Sequence, residues 1–299
     1  MPVPVKHARR FAGVAYGDSH KAGRGEGLRQ HSLATAVTSM HVLPSSYVAR
    51  LARDASVSLE AVGSALMLAG LMHDWGKSLA PYQEYLVEES THAPIRHEVT
   101  SFIAIASLIK PREGAEACYL ALAGAVLYHH HGLYDFVEKI VKYLRGGVRA
   151  WPNTRDGRYR EDLRERLEAT LNALRAYIKG TPAGEVLTLR TNAHEVVESL
   201  TMPAEPLRAV LKEAIDLEER VNRHRHVVVP LLTALMIGDN VSASIARAGD
   251  PEGVRILRMS EASAPVVVIR ERDLVKALRE AGLSRYADNL RRTYEVLTR

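Results

Sequence analysis

The sequence predicts a mainly α-helical fold. Most of the 299 residues fall in segments whose apolar positions recur at helical spacing. Gly and Pro residues separate these segments, and one run alone, "APVVVIR" at 264–270, is typical of a strand. Because a single strand cannot build a sheet, we expect a bundle of helices packed around a common core.

Four apolar helices are predicted in the first half of the chain. They cover 28–43, 58–74, 97–110 and 114–131. Ser58 is a favourable N-cap for the second of them, and Gly76 supplies a stop after it. The third is expected to end before Pro111, because the residue preceding a proline is disfavoured in a helix.

The second half is more polar until its last apolar helix. A loop rich in Gly, Pro and Asn precedes helical segments at about 160–179, 192–200, 205–225 and 227–249. Pro230 is expected in the first turn of the last segment, where a missing N–H is tolerated. The strand-like run and two charged helices follow. We therefore predict a polar helical insertion over about 146–226 and a small appendage after residue 250.

The composition restricts the chemistry and the location of the protein. Cys118 is the only cysteine, so any metal site must use the side chains of Asp, Glu and the thirteen His residues. A net charge of +5 suits a polyanionic partner. The N-terminus "MPVPVKHARRF" lacks the apolar region of a secretory signal, and no apolar run approaches the ~20 residues that span a bilayer. We expect a cytoplasmic protein without a membrane partner.

Several titratable residues interrupt the most apolar helices. They are His31, His73, Asp74, His97, His129, His130 and Asp239. A buried ionised carboxylate is costly unless it is paired or binds a metal, and no basic residue lies one turn from Asp74 or Asp239 within the same predicted helix. Each histidine alone is also compatible with an ordinary hydrogen-bonded core residue.

Taken together, these residues indicate a metal centre. Imidazole and carboxylate groups bind divalent ions, and two ions about 3.5–4 Å apart are a recurrent device for phosphate-ester hydrolysis. Lys77 follows the predicted helix end and could reach a phosphate in the same cleft, or it could be a solvated loop residue.

The order of these residues resembles that of the HD-domain metal-dependent phosphohydrolases. The pattern is an early His31, the doublet in "HDWGK", a later His97, the triple His and a late Asp239. Within that superfamily, "RHE" at Arg96–Glu98, the histidines before Gly132 and "GDNVSAS" resemble the CRISPR-associated HD nucleases. The chain has no Walker A loop, so it resembles the stand-alone nuclease subunit that works with a separate helicase.

The resemblance implies a role for each matching residue. His31, His73, Asp74 and Asp239 match the ligands of a first metal ion, and Asp74 matches the carboxylate that bridges to a second ion. His97 and two residues of "HHHG" match the ligands of the second ion, and Lys77 matches the Lys after the doublet. We choose His129 and His130 from the triple; His130 and His131 are the alternative.

The resemblance also implies an activity and an organisation. It covers about residues 10–249, which gives an HD nuclease domain over 1–249, with the insertion at about 146–226, and an appendage over 250–299. The implied activity is endonuclease or exonuclease hydrolysis of DNA, mainly single-stranded, in type I CRISPR antiviral defence. The implied cofactors are two divalent ions (Mn, Ni, Co, Fe or Mg). The implied partners are single-stranded DNA, a separate helicase and an RNA-guided surveillance complex.

Basic and aromatic residues in the middle of the chain are candidates for guiding a DNA strand. They are Lys139, Lys142, Tyr143, Arg145, Arg149, Trp151, Arg155, Arg158, Tyr159 and Arg160. A solvated charged loop is an equal alternative for this segment. Two other functions remain open for the whole chain: an HD phosphohydrolase acting on small nucleotides, and a scaffold without catalytic activity that recruits a helicase.

Overall fold

The computed structural model describes residues 4–23, 25–88, 97–130, 157–191, 193–201, 205–246 and 271–297. Within these ranges the helices are α1 (Val5–Ala15), α2 (Leu28–Val42), α3 (Ser45–Ala55), α4 (Leu59–Met72), α5 (Ala80–Glu88), α6 (His97–Leu108), α7 (Glu116–Tyr128), α8 (Gly157–Gly180), α9 (Ala193–Thr201), α10 (Glu205–Arg223), α11 (Arg225–Ala246), α12 (Glu271–Glu280) and α13 (Ser284–Leu297). The predicted mainly α fold is confirmed.

Two short antiparallel pairs of strands accompany the helices of the described part. Strand β1 (Lys21–Gly23) pairs with β2 (Glu26–Gly27), just before α2. Strand β3 (Ile109–Pro111) pairs with β4 (Leu187–Leu189), which joins the end of α6 to the segment after α8. The strand-like run at 264–270 lies outside the described residues.

Helix α4 shows how local sequence sets the position of the doublet. Its N-cap is Ser58, as predicted, and the Ser58 hydroxyl accepts a hydrogen bond from Ala61 N at 3.0 Å. The helix ends at Met72, before the predicted end at residue 74, and Trp75–Ser78 form a 3₁₀ turn. Because the chain leaves the α-helical path here, His73 and Asp74 project from a helix end.

The core is built by close packing of α2, α4, α7 and α11. A Cβ atom on Gly70 of α4 would clash with the backbone of Ala36 in α2. A Cβ atom on Gly238 of α11 would clash with Ser39 and with the Thr35 carbonyl of the same α2. Glycine therefore lets both helices approach α2 closely, at positions next to the predicted ligands.

Helix α8, from the predicted insertion, contributes one face to this core. Leu167, Leu171 and Tyr177 are buried, and α8 packs against α1. The Trp75 indole donates a hydrogen bond to Thr170 Oγ1 at 2.7 Å, which ties α8 to the turn after the doublet. The polar character of α8 belongs to its outer face, as expected of an amphipathic helix.

The C-terminal helices α12 and α13 pack against each other, and α13 packs on α11. The side-chain amide of Asn289 donates a hydrogen bond to the Ile245 carbonyl near the end of α11 at 3.0 Å. Leu278, Ala287 and Leu290 are fully buried. Part of the predicted appendage is thus attached to the helix that carries Asp239.

Several further features differ from the sequence predictions. Helices α1, α3 and α5 were not predicted. Pro230 lies inside α11 rather than in its first turn, because the helix already begins at Arg225. By length and composition α11 could cross a membrane, contrary to the expectation that no run approaches spanning length, and so could α3 and α4 taken as one bent pair. Most of α11 is buried against its neighbours, as in many core helices.

Candidate metal centre

The seven titratable residues singled out in the sequence meet at one place. They come from five separate segments: α2, the turn after α4, the start of α6, the residues after α7, and α11. They form two groups, and within each group the ligand atoms all lie within 4.8 Å of one another. One group contains His31, His73 and Asp239, and the other contains Asp74, His97, His129 and His130.

Asp74 stands between the two groups, and its two oxygens face different sides. Oδ2 lies 3.4 Å from His31 Nε2 and 3.5 Å from His73 Nε2. Oδ1 lies 2.9 Å from His97 Nε2 and 3.6 Å from His129 Nε2. A carboxylate placed in this way has one oxygen available to each group.

Asp239 and His130 complete the two groups. Asp239 Oδ1 lies 3.0 Å from His31 Nε2 and 3.7 Å from His73 Nε2. His130 Nε2 lies 2.8 Å from His97 Nε2. Two nitrogens bound at right angles to one ion at ~2.1 Å would be about 3 Å apart, so the spacing suits a shared ligand sphere.

Two of the imidazoles are oriented by backbone carbonyls. Nδ1 of His73 donates to the Gly70 carbonyl at 2.8 Å, and Nδ1 of His129 donates to the Val126 carbonyl at 2.7 Å. Both acceptors lie three residues earlier, at a helix end where carbonyls lack intrahelical partners. Nε2 of each ring is thereby directed at Asp74, which is the arrangement usual for histidines that bind metals.

Side chains orient the other two buried imidazoles. The Tyr82 hydroxyl lies 3.2 Å from His97 Nδ1 and accepts a hydrogen bond from His97 N at 2.9 Å. Nδ1 of His31 donates to Glu26 Oε1 at 2.9 Å. In both residues the partner occupies Nδ1 and leaves Nε2 facing the carboxylates.

Two buried ring nitrogens at this place, His73 Nε2 and His129 Nε2, have no hydrogen-bond partner among the described residues. An unsatisfied buried polar atom costs about 1–3 kcal/mol, so each of them calls for an explanation. The two nitrogens belong to different groups, and a metal ion bound in each group would satisfy both. The donor set of imidazole and carboxylate groups fits a divalent transition metal.

The charges of the carboxylates favour a cation. Burial alone would raise the pKa of Asp74, but Lys77 and the neighbouring imidazoles outweigh burial and hold this pKa well below its usual range. Burial would also raise the pKa of Asp239, but His31 and His73 outweigh burial and hold this pKa well below its usual range. The side chains of Asp74 and Asp239 are therefore ionised at neutral pH.

The imidazoles differ from one another. Burial lowers the pKa of His97, and burial followed by the charges of His129 and His97 lowers the pKa of His130. For His31, Glu26 and the two aspartates outweigh burial and raise the pKa well above its usual value. Burial would lower the pKa of His129 as well, but Asp74 outweighs burial and raises this pKa. Without a metal, the site therefore holds protonated and neutral imidazoles side by side.

Lys77 lies at the same place, as the sequence predicts. Its Nζ donates to Asp74 Oδ2 at 2.7 Å, from the 3₁₀ turn that follows the doublet. Asp74 therefore does have a cation one turn away, although outside its predicted helix. The Lys77 side chain is 15% exposed and that of Asp239 is 17% exposed, whereas His73 is fully buried. His130 is exposed, so the site is accessible from this edge.

Most of the residues proposed to guide DNA lie outside the described part of the chain, as does His131. Arg158, Tyr159 and Arg160 lie at the start of α8. The Tyr159 hydroxyl donates to Glu84 Oε2 of α5 at 2.7 Å. Tyr159 thus contacts the helix whose Tyr82 lies beside His97.

Sequence reasoning missed Glu26, Tyr82 and Tyr286. The Tyr286 hydroxyl donates to the same Glu26 Oε1 that accepts from His31, at 2.7 Å. Glu26 stands in "GRGEGLRQH", a segment with the composition of a turn and no sign of burial. Only the proximity of Glu26 to His31 in sequence, and of Tyr82 to the doublet, could have pointed to them.

The fold and the site together define a helical protein with a buried cluster of His and Asp residues that could bind a metal ion. Comparisons with protein-family models, curated proteins and solved structures found no match to the chain.

Proposed function

We propose that the chain is a metal-dependent nuclease that hydrolyses DNA phosphodiester bonds, mainly in single strands, with two divalent ions. The observation that carries the proposal is the position of Asp74, whose two oxygens face two separate groups of ligands. A carboxylate shared in this way is typical of two-metal hydrolytic sites. His31, His73 and Asp239 would hold the first ion, and His97, His129 and His130 would hold the second.

Two bound divalent ions supply Lewis acidity toward a phosphate and lower the pKa of water. The residues of the chain perform the remaining tasks. Asp74 fixes the distance between the two groups because each of its oxygens belongs to one of them. The carbonyls of Gly70 and Val126 keep the Nε2 atoms of His73 and His129 directed inward. Lys77, at the accessible edge, would contact an anionic oxygen of the phosphate and stabilise charge that develops there.

The accessible edge favours a polymer as the substrate over a small nucleotide. His130 is exposed, and the Asp239 and Lys77 side chains are partly exposed, so a phosphate could approach from one side without complete enclosure. An overall charge of +5 suits a polyanion. Hydrolysis of small nucleotides is the alternative that the experiment below distinguishes.

The proposed biological context is type I CRISPR interference. The order of the ligands along the chain, with "RHE" at Arg96–Glu98 and "GDNVSAS" after Gly238, resembles the stand-alone HD nucleases of these systems. In that context a separate helicase would supply single-stranded DNA, and an RNA-guided surveillance complex would select the target.

The test uses the purified full chain with Mn²⁺ and four substrates: linear single-stranded DNA, circular single-stranded DNA, duplex DNA and deoxynucleotides. We expect cleavage of single-stranded DNA, and cleavage of the circle would identify an endonuclease. Asp74→Ala and Asp74→Asn should abolish activity, whereas Asp216→Ala, at an exposed carboxylate of α10, should have no effect. Hydrolysis of deoxynucleotides without DNA cleavage would establish the alternative, and inactivity on all four substrates would contradict the proposal.

A further inference from the structure

Glu26 links one candidate metal ligand to the C-terminal helix. Its Oε1 lies 2.9 Å from His31 Nδ1 and 2.7 Å from the Tyr286 hydroxyl, and 260 residues separate Glu26 from Tyr286 in sequence. Glu26 and Tyr286 are buried, with 6% and 7% of their surface exposed. Two hydrogen-bond donors offset the free-energy cost of burying this carboxylate.

We propose that Glu26 and Tyr286 are positioning residues for His31. Helix α13, which carries Tyr286, therefore helps to orient a ligand of the metal centre. This inference rests on the proposed function, because it requires His31 to bind a metal ion. It assigns a role to a part of the chain that the ligand motifs do not include.

The reason for a carboxylate at this position lies in the local structure around His31. His73 and His129 stand at helix ends, where a carbonyl three residues earlier is available to Nδ1. His31 stands in the first turn of α2, after β2, and its Nδ1 turns back to the side chain of Glu26 instead. A carboxylate partner fixes the tautomer of a ligating imidazole and increases its basicity.

Strand β2 has two residues and cannot hold Glu26 rigidly by itself. Tyr286 supplies the second attachment, and burial followed by the charge of Glu26 raises its pKa, so that the phenol keeps its proton and remains a donor. The backbone that carries Tyr286 is fixed independently, since the side-chain amide of Asn289 donates to the Ile245 carbonyl.

Helix α13 thus contacts residues that hold two ligands of one group, His31 and Asp239. Tyr286 reaches the carboxylate that orients His31, and α13 packs on α11, which carries Asp239. A displacement of α13 would therefore act most directly on the group of His31 and Asp239.

A cavity of about 380 Å³ borders this link, and its lining includes Glu26, Gln30, Tyr286 and Asn289. Water from the cavity could replace the phenol hydroxyl after its removal, because the site is polar and large enough to hold water. The loss of the tyrosine hydroxyl should therefore have a smaller effect than the loss of the glutamate.

The test is a titration of the metal-free full chain with Mn²⁺ by calorimetry, together with thermal unfolding of the metal-free protein. We expect wild type to bind two ions. Supporting groups of metal ligands contribute 10–100-fold to affinity, so Glu26→Gln and Glu26→Ala should weaken one of the two sites by about that factor. Tyr286→Phe should weaken the same site by less, about three- to tenfold.

Tyr47→Phe is the matched control. Tyr47 is also 7% exposed, and its hydroxyl donates to the Val227 carbonyl, away from the ligands. A merely structural role for Tyr286 predicts that both phenylalanine variants lower the unfolding temperature and leave both affinities unchanged.

The outcomes separate the two proposals. If wild type binds no Mn²⁺, both fail. If wild type binds two ions and the Glu26→Gln and Tyr286→Phe proteins bind both with wild-type affinity, the positioning role alone is wrong. Should Glu26→Ala fail to fold, Glu26→Gln and Tyr286→Phe, which preserve shape, decide the matter. Weakening of both sites equally would also overturn the assignment to His31.

Discussion

The ammonium of Lys77 lies 2.7 Å from Asp74 Oδ2, the oxygen that faces His31 and His73. A cation of the chain therefore occupies one side of the carboxylate that the proposed first ion would share. Burial lowers the pKa of Lys77, but Asp74 outweighs burial and raises it, so the amine is charged at neutral pH. Lys77 and a metal ion must compete for this oxygen.

Removal of the Lys77 charge should separate metal binding from catalysis. Two like charges about 4 Å apart repel by roughly 1–4 kcal/mol in water or near a protein surface. We expect Lys77→Met to bind Mn²⁺ on the order of tenfold more tightly and to cleave DNA about 10²-fold more slowly. Calorimetry and initial rates at saturating Mn²⁺ would measure both effects. Equal losses of affinity and rate would show that Lys77 acts by supporting the metal ligands.

The two groups of ligands predict that variants of one group lose one ion, whereas a variant of the shared Asp74 loses both. Asp239→Asn removes a carboxylate from the group of His31 and His73, and His97→Ala removes a ligand from the other group. Each variant should retain one ion, whereas Asp74→Ala should lose tight binding at both sites. Metal content after dialysis, measured by mass spectrometry, gives the counts. Retention of two ions by Asp239→Asn would contradict its assignment as a ligand.

Metal binding should release protons. The charges of Glu26 and the two aspartates outweigh burial and raise the pKa of His31 well above its ordinary value, so this ring holds a proton near neutral pH in the metal-free state. A ligating nitrogen must lose its proton, and affinity should therefore rise with pH through the neutral range. Calorimetry at one pH in buffers of different ionisation enthalpy measures the number released. A binding heat that is independent of the buffer would contradict this prediction.

Gly70→Ala should destabilise the fold because the new methyl group would clash with the backbone of Ala36 in α2. Overpacking of this kind costs about 1–3 kcal/mol in the free energy of unfolding, which chemical denaturation of the metal-free protein would measure.

Gly13→Ala in α1 is the control for that substitution. Its added methyl group would approach only the guanidinium end of Arg29, at 3.3 Å, and alanine is favoured over glycine inside a helix by up to about 1 kcal/mol. Unchanged or increased stability is expected. If the two alanine variants proved equally stable, close packing at Gly70 would not be what brings α2 and α4 together.

The sequence was most informative where a residue contradicts its surroundings. Asp239 is conspicuous because it stands in an apolar helix, and Ser58 because a short hydroxyl precedes a helical pattern. Both residues can be recognised from the neighbouring sequence alone, without knowledge of the fold. The structure brings all seven singled-out residues to one place.

The missed features depend on contacts that are distant in sequence. Glu26 is unremarkable in its own segment, and nothing local predicts that the hydroxyl of Tyr286, 260 residues later, donates to its carboxylate. The hydrogen bond from Trp75, in the turn after α4, to Thr170 likewise joins residues 95 positions apart and has no local signal in the sequence.

The five segments that meet at Asp74 are joined by no disulfide, since Cys118 is the only cysteine. Bound ions would take the place of such cross-links, because one ion would fasten α2 to α11 and the other would fasten α6 to the end of α7. The unfolded chain has no comparable site, so at a free metal concentration a hundred times the dissociation constant each ion would add about 2.7 kcal/mol to stability. Chelation would then loosen the bundle itself, and the melting temperature would report metal occupancy.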